Sequence, residues 1–225
     1  MSHDMMEDLA DAWDQFSADD TAWVAVLTGT GSAFCAGQDL KEAQERGRAG
    51  GAYRLARPYV GQTNKPIVTA VNGFAFGGGF VMALAGDLRV VAEDAHLQMT
   101  EIRLGLLGGW ALGIEQRIPM AIQSEVSLLG APLTGRRAYD LGLFNRCVPR
   151  EQVLPTALAI AEELCSLPPR ATRMMKELLK LEQPRGSEAG WAFYEQTRPE
   201  LAVAEDTLEA IRAFNERRKT HFTGR

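Results

Sequence analysis

Apolar residues recur in helical register at the start of the chain. Met5, Met6, Leu9, Trp13 and Phe16 form one stripe, and Asp4, Glu7, Asp8, Asp11 and Asp14 lie off it. That pattern predicts an amphipathic helix with a solvated acidic face. A continuous apolar run, Ala22-Trp23-Val24-Ala25-Val26-Leu27-Thr28, then predicts a buried strand, broken by Gly29-Thr30-Gly31-Ser32. Asp39 is placed to cap the polar segment that follows, which ends in a Gly/Arg-rich loop. The β-rich run Ile67-Val68-Thr69-Ala70-Val71 enters a turn holding Gly77-Gly78-Gly79 and leaves it as the helix-forming Val81-Met82-Ala83-Leu84-Ala85. Leu88-Arg89-Val90-Val91 reads as another strand, and Leu97 to Ile102 leads into a glycine-containing loop, 105–113. Beyond residue 114 the period is helical at about 120–130, 151–165, 169–182 and 199–218, with Pro119, Pro168 and Pro199 near helix starts. Strands alternating with helices, followed by a helical tail, predict an α/β core of residues 1–130 and a helical C-terminal region, 131–225.

Composition narrows the partners. A chain of 225 residues, 46% hydrophobic, can bury one sizeable core. A net charge of −5 argues against nucleic acid, and the short basic patch Arg217-Arg218-Lys219 does not reverse that. Three widely spaced cysteines (Cys35, Cys147, Cys165) without a C-x-x-C pattern suit a reducing cytosol, and no export signal is visible, so a cytoplasmic protein is expected. The uncharged run between Lys65 and Asp87 would register on a hydropathy window. Its glycines, Asn72 and strand-like first half favour a buried strand-turn-helix over a membrane span.

Glycines in succession between a strand and a helix cost backbone entropy, and close approach of another group is the usual compensation. The helix behind them aims unpaired N–H groups at whatever approaches, which suits a phosphate, a carboxylate or a developing oxyanion. A dinucleotide fingerprint fails, because Gly29-Thr30-Gly31-Ser32-Ala33-Phe34 lacks the third glycine. A P-loop fails for want of Lys-Ser/Thr after Gly79, and no G-x-S-x-G elbow occurs. His3, His96 and His221 read as surface residues, and no histidine-carboxylate group has metal spacing, so no metal site is expected. Two strand-to-turn elements remain, Ala36-Gly37-Gln38-Asp39 and Gly77-Gly78-Gly79. Two N–H groups from separate loops converging on one carbonyl oxygen make an oxyanion hole.

On these residues the chain resembles the crotonase, or enoyl-CoA hydratase/isomerase, superfamily. The matching segments are Val26 through Leu40, Lys65-Pro66 through Arg89, Thr100 through Leu106, Leu133-Thr134-Gly135-Arg136, Gly142 through Arg146, and the terminal Phe222-Thr223-Gly224-Arg225. The resemblance implies a crotonase-like spiral of ββα units acting on an acyl-CoA thioester, with coenzyme A part of the substrate and no separate cofactor. It places the oxyanion donors on the backbone N–H groups of Gln38 and Gly78, each worth ~2.7–4 kcal/mol of barrier. It places the acid/base carboxylate on Glu101. Ala36, Gly37, Asp39, Leu40 and Lys41 would border the CoA, and Phe76, Gly77, Val81 and Trp110 the acyl thioester. Lys219 and Phe222 match positions that touch CoA in relatives. Relatives assemble as trimers and dimers of trimers through their C-terminal helices, so a homotrimer or hexamer is expected.

The departures bear on the reaction. Hydratases of the family use two glutamates, and the first falls on Val81, which cannot activate water. One carboxylate suffices to move a proton between carbons beside a thioester, so isomerase-like chemistry is expected, as in the family's enoyl-CoA isomerases. Dienoyl-CoA isomerases carry another acid where this chain has Gly109, and Glu115 is a spare carboxylate with a structural role expected. The alternatives are a hydratase despite Val81, a catalytically impaired CoA-binding protein, and, more remotely, a hydrolase on the same fold. Relatives open with a hairpin ahead of the first helix, and the chain as given starts almost at that helix, so a late-placed start codon is expected. The segments around Gly108 and after Gly135 also differ, so acyl specificity does not carry over.

Overall fold

Strands pair in register along two parallel tracks, because each ββα unit sends its first strand to one sheet and its second to another. The computed structural model describes residues 1–47, 63–108, 118–182, 192, 195–196 and 199–221. After helix α1 (His3–Ala18) come β1 (Ala25–Thr28), β2 (Ala33–Cys35) and α2 (Leu40–Glu45). The second unit is β3 (Ile67–Val71), β4 (Phe74–Phe76) and α3 (Gly78–Leu84). The third opens with β5 (Leu88–Ala92) and β6 (His96–Gln98), followed by a 3-10 turn, Glu101–Leu104, and α4 (Met120–Leu128). Then follow β7 (Leu133–Thr134), α5 (Gly135–Asp140), β8 (Arg146–Val148), α6 (Val153–Cys165), α7 (Pro169–Glu182) and α8 (Glu205–Asn215).

One four-stranded sheet has the order β1-β3-β5-β8, all parallel; the other is β2-β4-β6-β7, antiparallel only at β6–β7. Every residue of β3 is buried, as an uninterrupted apolar run in a parallel sheet requires. Its one hydroxyl, Thr69, is satisfied by donating to the Ala83 carbonyl of α3 at 2.8 Å. Helix α6 packs across β1, β3 and β5, and α3 lies against β2, β3 and β4.

The short strands β2 and β4 were not apparent in the sequence. Each has three residues beside a glycine loop, and Phe74-Ala75-Phe76 alternates exposed, buried and half-buried. The expected strand-turn-helix around Gly77 is therefore a strand, a second strand in the other sheet, and a helix. The region beyond residue 131 also supplies β7 and β8, which complete both sheets. The uncharged run flagged by hydropathy folds into β3, β4 and α3, and among the described residues no helix is long and apolar enough to cross a membrane.

Two buried lysines fasten the layers. Lys65 Nζ donates to the carbonyls of Phe16 and Asp19 at 2.6 and 2.7 Å, ending α1 on the start of β3. Lys176 Nζ from α7 donates to the Lys65 carbonyl and pairs with Asp87, both at 2.7 Å. Asp87 in turn accepts from the Ile67 N–H at 2.8 Å. A buried ammonium is tolerated because each is surrounded by oxygen acceptors.

Past α8, Arg218 grips Glu209 through both guanidinium ends, at 2.5 and 2.9 Å. That hydrogen bonding holds the Glu209 carboxyl at about 2, below its ordinary 4.5. A depressed carboxylate stabilises the fold above its unfolded pKa and loses that contribution as pH falls through the folded value. The thermal midpoint gap between wild type and Glu209→Gln is therefore expected to be constant from neutral pH to about 4.5 and to close toward pH 2. A gap unchanged across that window would show that the pair contributes nothing.

Candidate active site

Three backbone turns meet where glycine lets them. Gly37, just past β2, has φ +87°, and a Cβ there would lie 2.7 Å from the Phe76 carbonyl oxygen. Gly77 is the N-cap of α3 at φ 53°, ψ −124°, a conformation for which only glycine is suited. Its N–H donates to the Gln98 carbonyl at 2.9 Å, and its own carbonyl accepts from Phe80 and Val81 at 2.9 and 3.2 Å. A Cβ on Gly77 would stand 3.1 Å from Glu101 Oε1 and 3.2 Å from Thr100 Oγ1. The missing side chain is thus what admits the Glu101 carboxylate to the mouth of the glycine turn.

Gly78 is buried as the first residue of α3, where backbone N–H groups lack acceptors within the helix. Gly79 packs α3 onto β2: its Cβ would fall 2.2 Å from the Cys35 carbonyl oxygen. Gln38 is half-buried between Gly37 and Asp39. Glu101 opens its 3-10 turn, with Oε2 shielded from solvent, and Gly105 at φ 70° closes that turn. Val81 is buried one turn into α3, a helix with no charged residue. The arrangement brings Gly37, Gly77 and Glu101 into one chain of contacts through the Phe76-Gly77 backbone. It sets the Glu101 carboxylate beside the glycine turn that starts α3.

Other candidates are placed differently. Asp39 Oδ1 caps α2, accepting from Lys41 N and Glu42 N at 2.9 and 3.1 Å. The Phe76 ring tilts against Phe74, which stacks on His96. What Phe76 presents to the Gly37 turn is therefore its backbone carbonyl rather than its ring. Ala36 and Lys41 are exposed, Leu40 is half-buried, and Lys219 is exposed beyond α8. Trp110, Phe222, Gly109 and Glu115 lie outside the described residues. No group of three His, Cys, Asp or Glu among the described residues could hold a metal ion.

Several supporting residues had no signal in local pattern. Gln98 fixes Gly77 through its carbonyl, and its amide donates to the Gly130 carbonyl at 2.6 Å. Arg103, in the turn behind Glu101, also donates to Gly130, at 3.4 Å. Gly130 has φ +58°, and a Cβ there would lie 3.0 Å from the Met99 carbonyl oxygen. A glycine directly after an apolar helix end was the only hint of it.

Comparisons with known proteins bear on the family and the fold. The enoyl-CoA hydratase/isomerase family profile matches residues 1–225. A carnitinyl-CoA dehydratase of Proteus mirabilis is 33% identical over 100% of this chain and 88% of its own. The crystal structure of a carnitinyl-CoA hydratase from Mycobacterium avium superposes with a TM-score of 0.84 at 33% identity, over 98% of this chain and 88% of that one. An enoyl-CoA hydratase/isomerase structure from Pseudoalteromonas atlantica gives a TM-score of 0.86 at 26% identity, over 99% and 90% of the two chains.

Proposed function

The chain belongs to the enoyl-CoA hydratase/isomerase family, with the crotonase fold, and on that premise we propose that it moves a proton beside an acyl-CoA thioester through an enolate, with Glu101 as proton carrier. The approach of Glu101 Oε1 to Gly77, 3.1 Å from where a Cβ there would stand, carries this reading. The N–H groups of Gln38 and Gly78 would donate to the thioester oxygen as it gains charge. The Glu101 carboxylate removes a proton from C2 of a 3-enoyl-CoA, and the electron pair passes into the C=C–O⁻ of the dienolate. The carboxylic acid so formed returns the proton at C4 while the oxyanion collapses, leaving the 2-enoyl thioester. One carboxylate suffices, because proton removal and return use the same group.

Val81 favours this single-base chemistry, since the position where the resemblance expects a second carboxylate is an apolar buried side chain. The second reading, water addition or elimination, is favoured by the relatives named carnitinyl-CoA dehydratase and hydratase. Ala36, Gly37, Leu40, Lys41 and Lys219 are the proposed CoA border. A trimer assembled in the cytoplasm is the proposed working form, and the exposed Met174, Met175, Leu178 and Leu179 of α7 are consistent with burial against another copy.

Incubation with 3-enoyl-CoA, crotonyl-CoA and 3-hydroxyacyl-CoA, followed by product chromatography, separates the readings. Shift of the double bond without hydration supports the first, and hydration or dehydration the second. Acyl-CoA binding without product would make the chain a binding protein. Val81→Glu is expected to raise crotonyl-CoA hydration by about 10² or more, within the range typical of one added acid/base group. It should also lower the melting point, because the new carboxylate is buried. A folded Val81→Glu protein with unchanged hydration would show that position 81 does not limit water chemistry.

A further inference from the structure

Helix α8 touches both halves of the site while contributing nothing to the reacting centre. Thr207 is fully buried, and its Oγ1 donates to the Gly105 carbonyl at 3.2 Å. Gly105 ends the turn that Glu101 begins, and a Cβ there would lie 2.9 Å from that same hydroxyl oxygen. A threonine inside a helix commonly returns its hydroxyl to a carbonyl of its own helix; this one bonds another element. At the other end of α8, Asn215 Nδ2 donates to the Leu40 carbonyl at 3.3 Å and to Gln44 Oε1, both on α2. The cap of α2 is Asp39, the residue after Gln38.

Between these contacts, Ile211 is fully buried with Ala43, and Leu40 and Leu106 pack against them in a hydrophobic cluster separate from the main core. Residues 207, 211 and 215 recur every fourth position, so they share one face of α8. At 1.5 Å per residue, that face spans about 12 Å. A rigid rod of that length ties the carbonyl of Gly105 to the carbonyl of Leu40.

We propose that α8 is a strap setting the separation between the Gln38 turn and Glu101, with Thr207 and Asn215 as its positioning residues. The inference rests on the proposed acyl-CoA chemistry only for what the spacing is for. The strap is held by a small cluster and a few hydrogen bonds, so loosening it misaligns the site and spares the main core. Misplacement of a catalytic group by about 1 Å can cost up to about 100-fold in rate.

The test uses the full chain and Thr207→Val, Thr207→Ser and Asn215→Ala, with rates expressed per folded molecule. Thr207→Val keeps the shape of the side chain and removes the donor. It is expected to lower kcat by about 10-fold or more with KM within about two-fold, because it disturbs Glu101 rather than binding. Thr207→Ser should restore most of the rate. Asn215→Ala should lower kcat through the Gln38 donor that precedes α2 and also raise KM through the Leu40–Lys41 border. Hydrogen exchange is read in parallel: both 40–45 and 101–106 should lose protection in Thr207→Val and in Asn215→Ala. Wild-type kcat in Thr207→Val, failure of Thr207→Ser to rescue it, or exchange changes confined to α8 would overturn the strap. A wild-type protein that turns over no acyl-CoA would sink the functional reading instead, and the exchange pattern would still decide the strap.

Discussion

Glu101→Gln is expected to lower turnover of every acyl-CoA the protein accepts by about 10²–10⁴-fold, while acyl-CoA binding measured by calorimetry stays near the wild-type value. Glutamine has the size and hydrogen-bonding plane of glutamate, so the place that Oε1 takes beside Gly77 stays filled. What is lost is the ability to take a proton and hold it until the oxyanion collapses. The loss corresponds to about 3–5 kcal/mol of barrier at 1.36 kcal/mol per decade. The residual rate would reflect polarisation of the thioester by the backbone donors, which the substitution does not touch. Separation of kcat from binding matters here, since a carboxylate that only shaped the pocket would change affinity and spare kcat. Wild-type kcat in Glu101→Gln would remove this residue from the chemistry.

Much of the architecture is legible in local pattern, and the misses share a cause. The stripe of α1 and the unbroken apolar run of β3 are long enough for periodicity to register; β3 forms as expected, and α1 forms with Met6 and Trp13 buried but Met5 of the stripe exposed. Strands β2 and β4 are too short for a period to develop, and their partners lie in another unit of the chain. The run from Leu97 to Ile102 divides into strand β6, whose Gln98 carbonyl accepts from the Gly77 N–H at the end of its pairing with β4, and the 3-10 turn. Residue types alone showed that something approaches Gly77, and the family resemblance pointed to Glu101. That the approaching group is the Glu101 carboxylate is a tertiary fact, set by pairing of β4 with β6. Thr207 was invisible for a related reason: a lone threonine in an amphipathic helix has no sequence mark distinguishing a solvated hydroxyl from one bonded to a remote carbonyl.

The glycines of the turn differ sharply in what they tolerate, and Gly79→Ala is expected to abolish the cooperative fold. Its Cβ would sit 2.2 Å from the Cys35 carbonyl oxygen and 2.8 Å from the Cys35 Cβ. Neither is the end of a flexible side chain. Cys35 belongs to strand β2, paired with β4, and all seven residues of α3 are buried, so the helix must move off the sheet by about 1 Å to reach van der Waals separation. Overpacking in a core costs about 1–3 kcal/mol where side chains can yield, and more where they cannot. Stabilities of about 5–15 kcal/mol leave little room for it. Gly77→Ala meets a movable carboxylate at 3.1 Å, together with strain at φ 53°. That protein should fold with its stability lowered by about 1–3 kcal/mol and its melting point lowered accordingly. Its turnover should fall, because the new methyl displaces Glu101. Gly31→Ala has φ +78° and nothing within 4 Å, so only backbone strain of about 1–2 kcal/mol is expected. Circular dichroism melts of the three variants, with kinetics for those that fold, should rank them Gly79, Gly77, Gly31 in descending damage. A Gly79→Ala protein melting within a few degrees of wild type would mean that α3 does not rest on the β2 backbone, and the position of Gly78 as an oxyanion donor would fall with it.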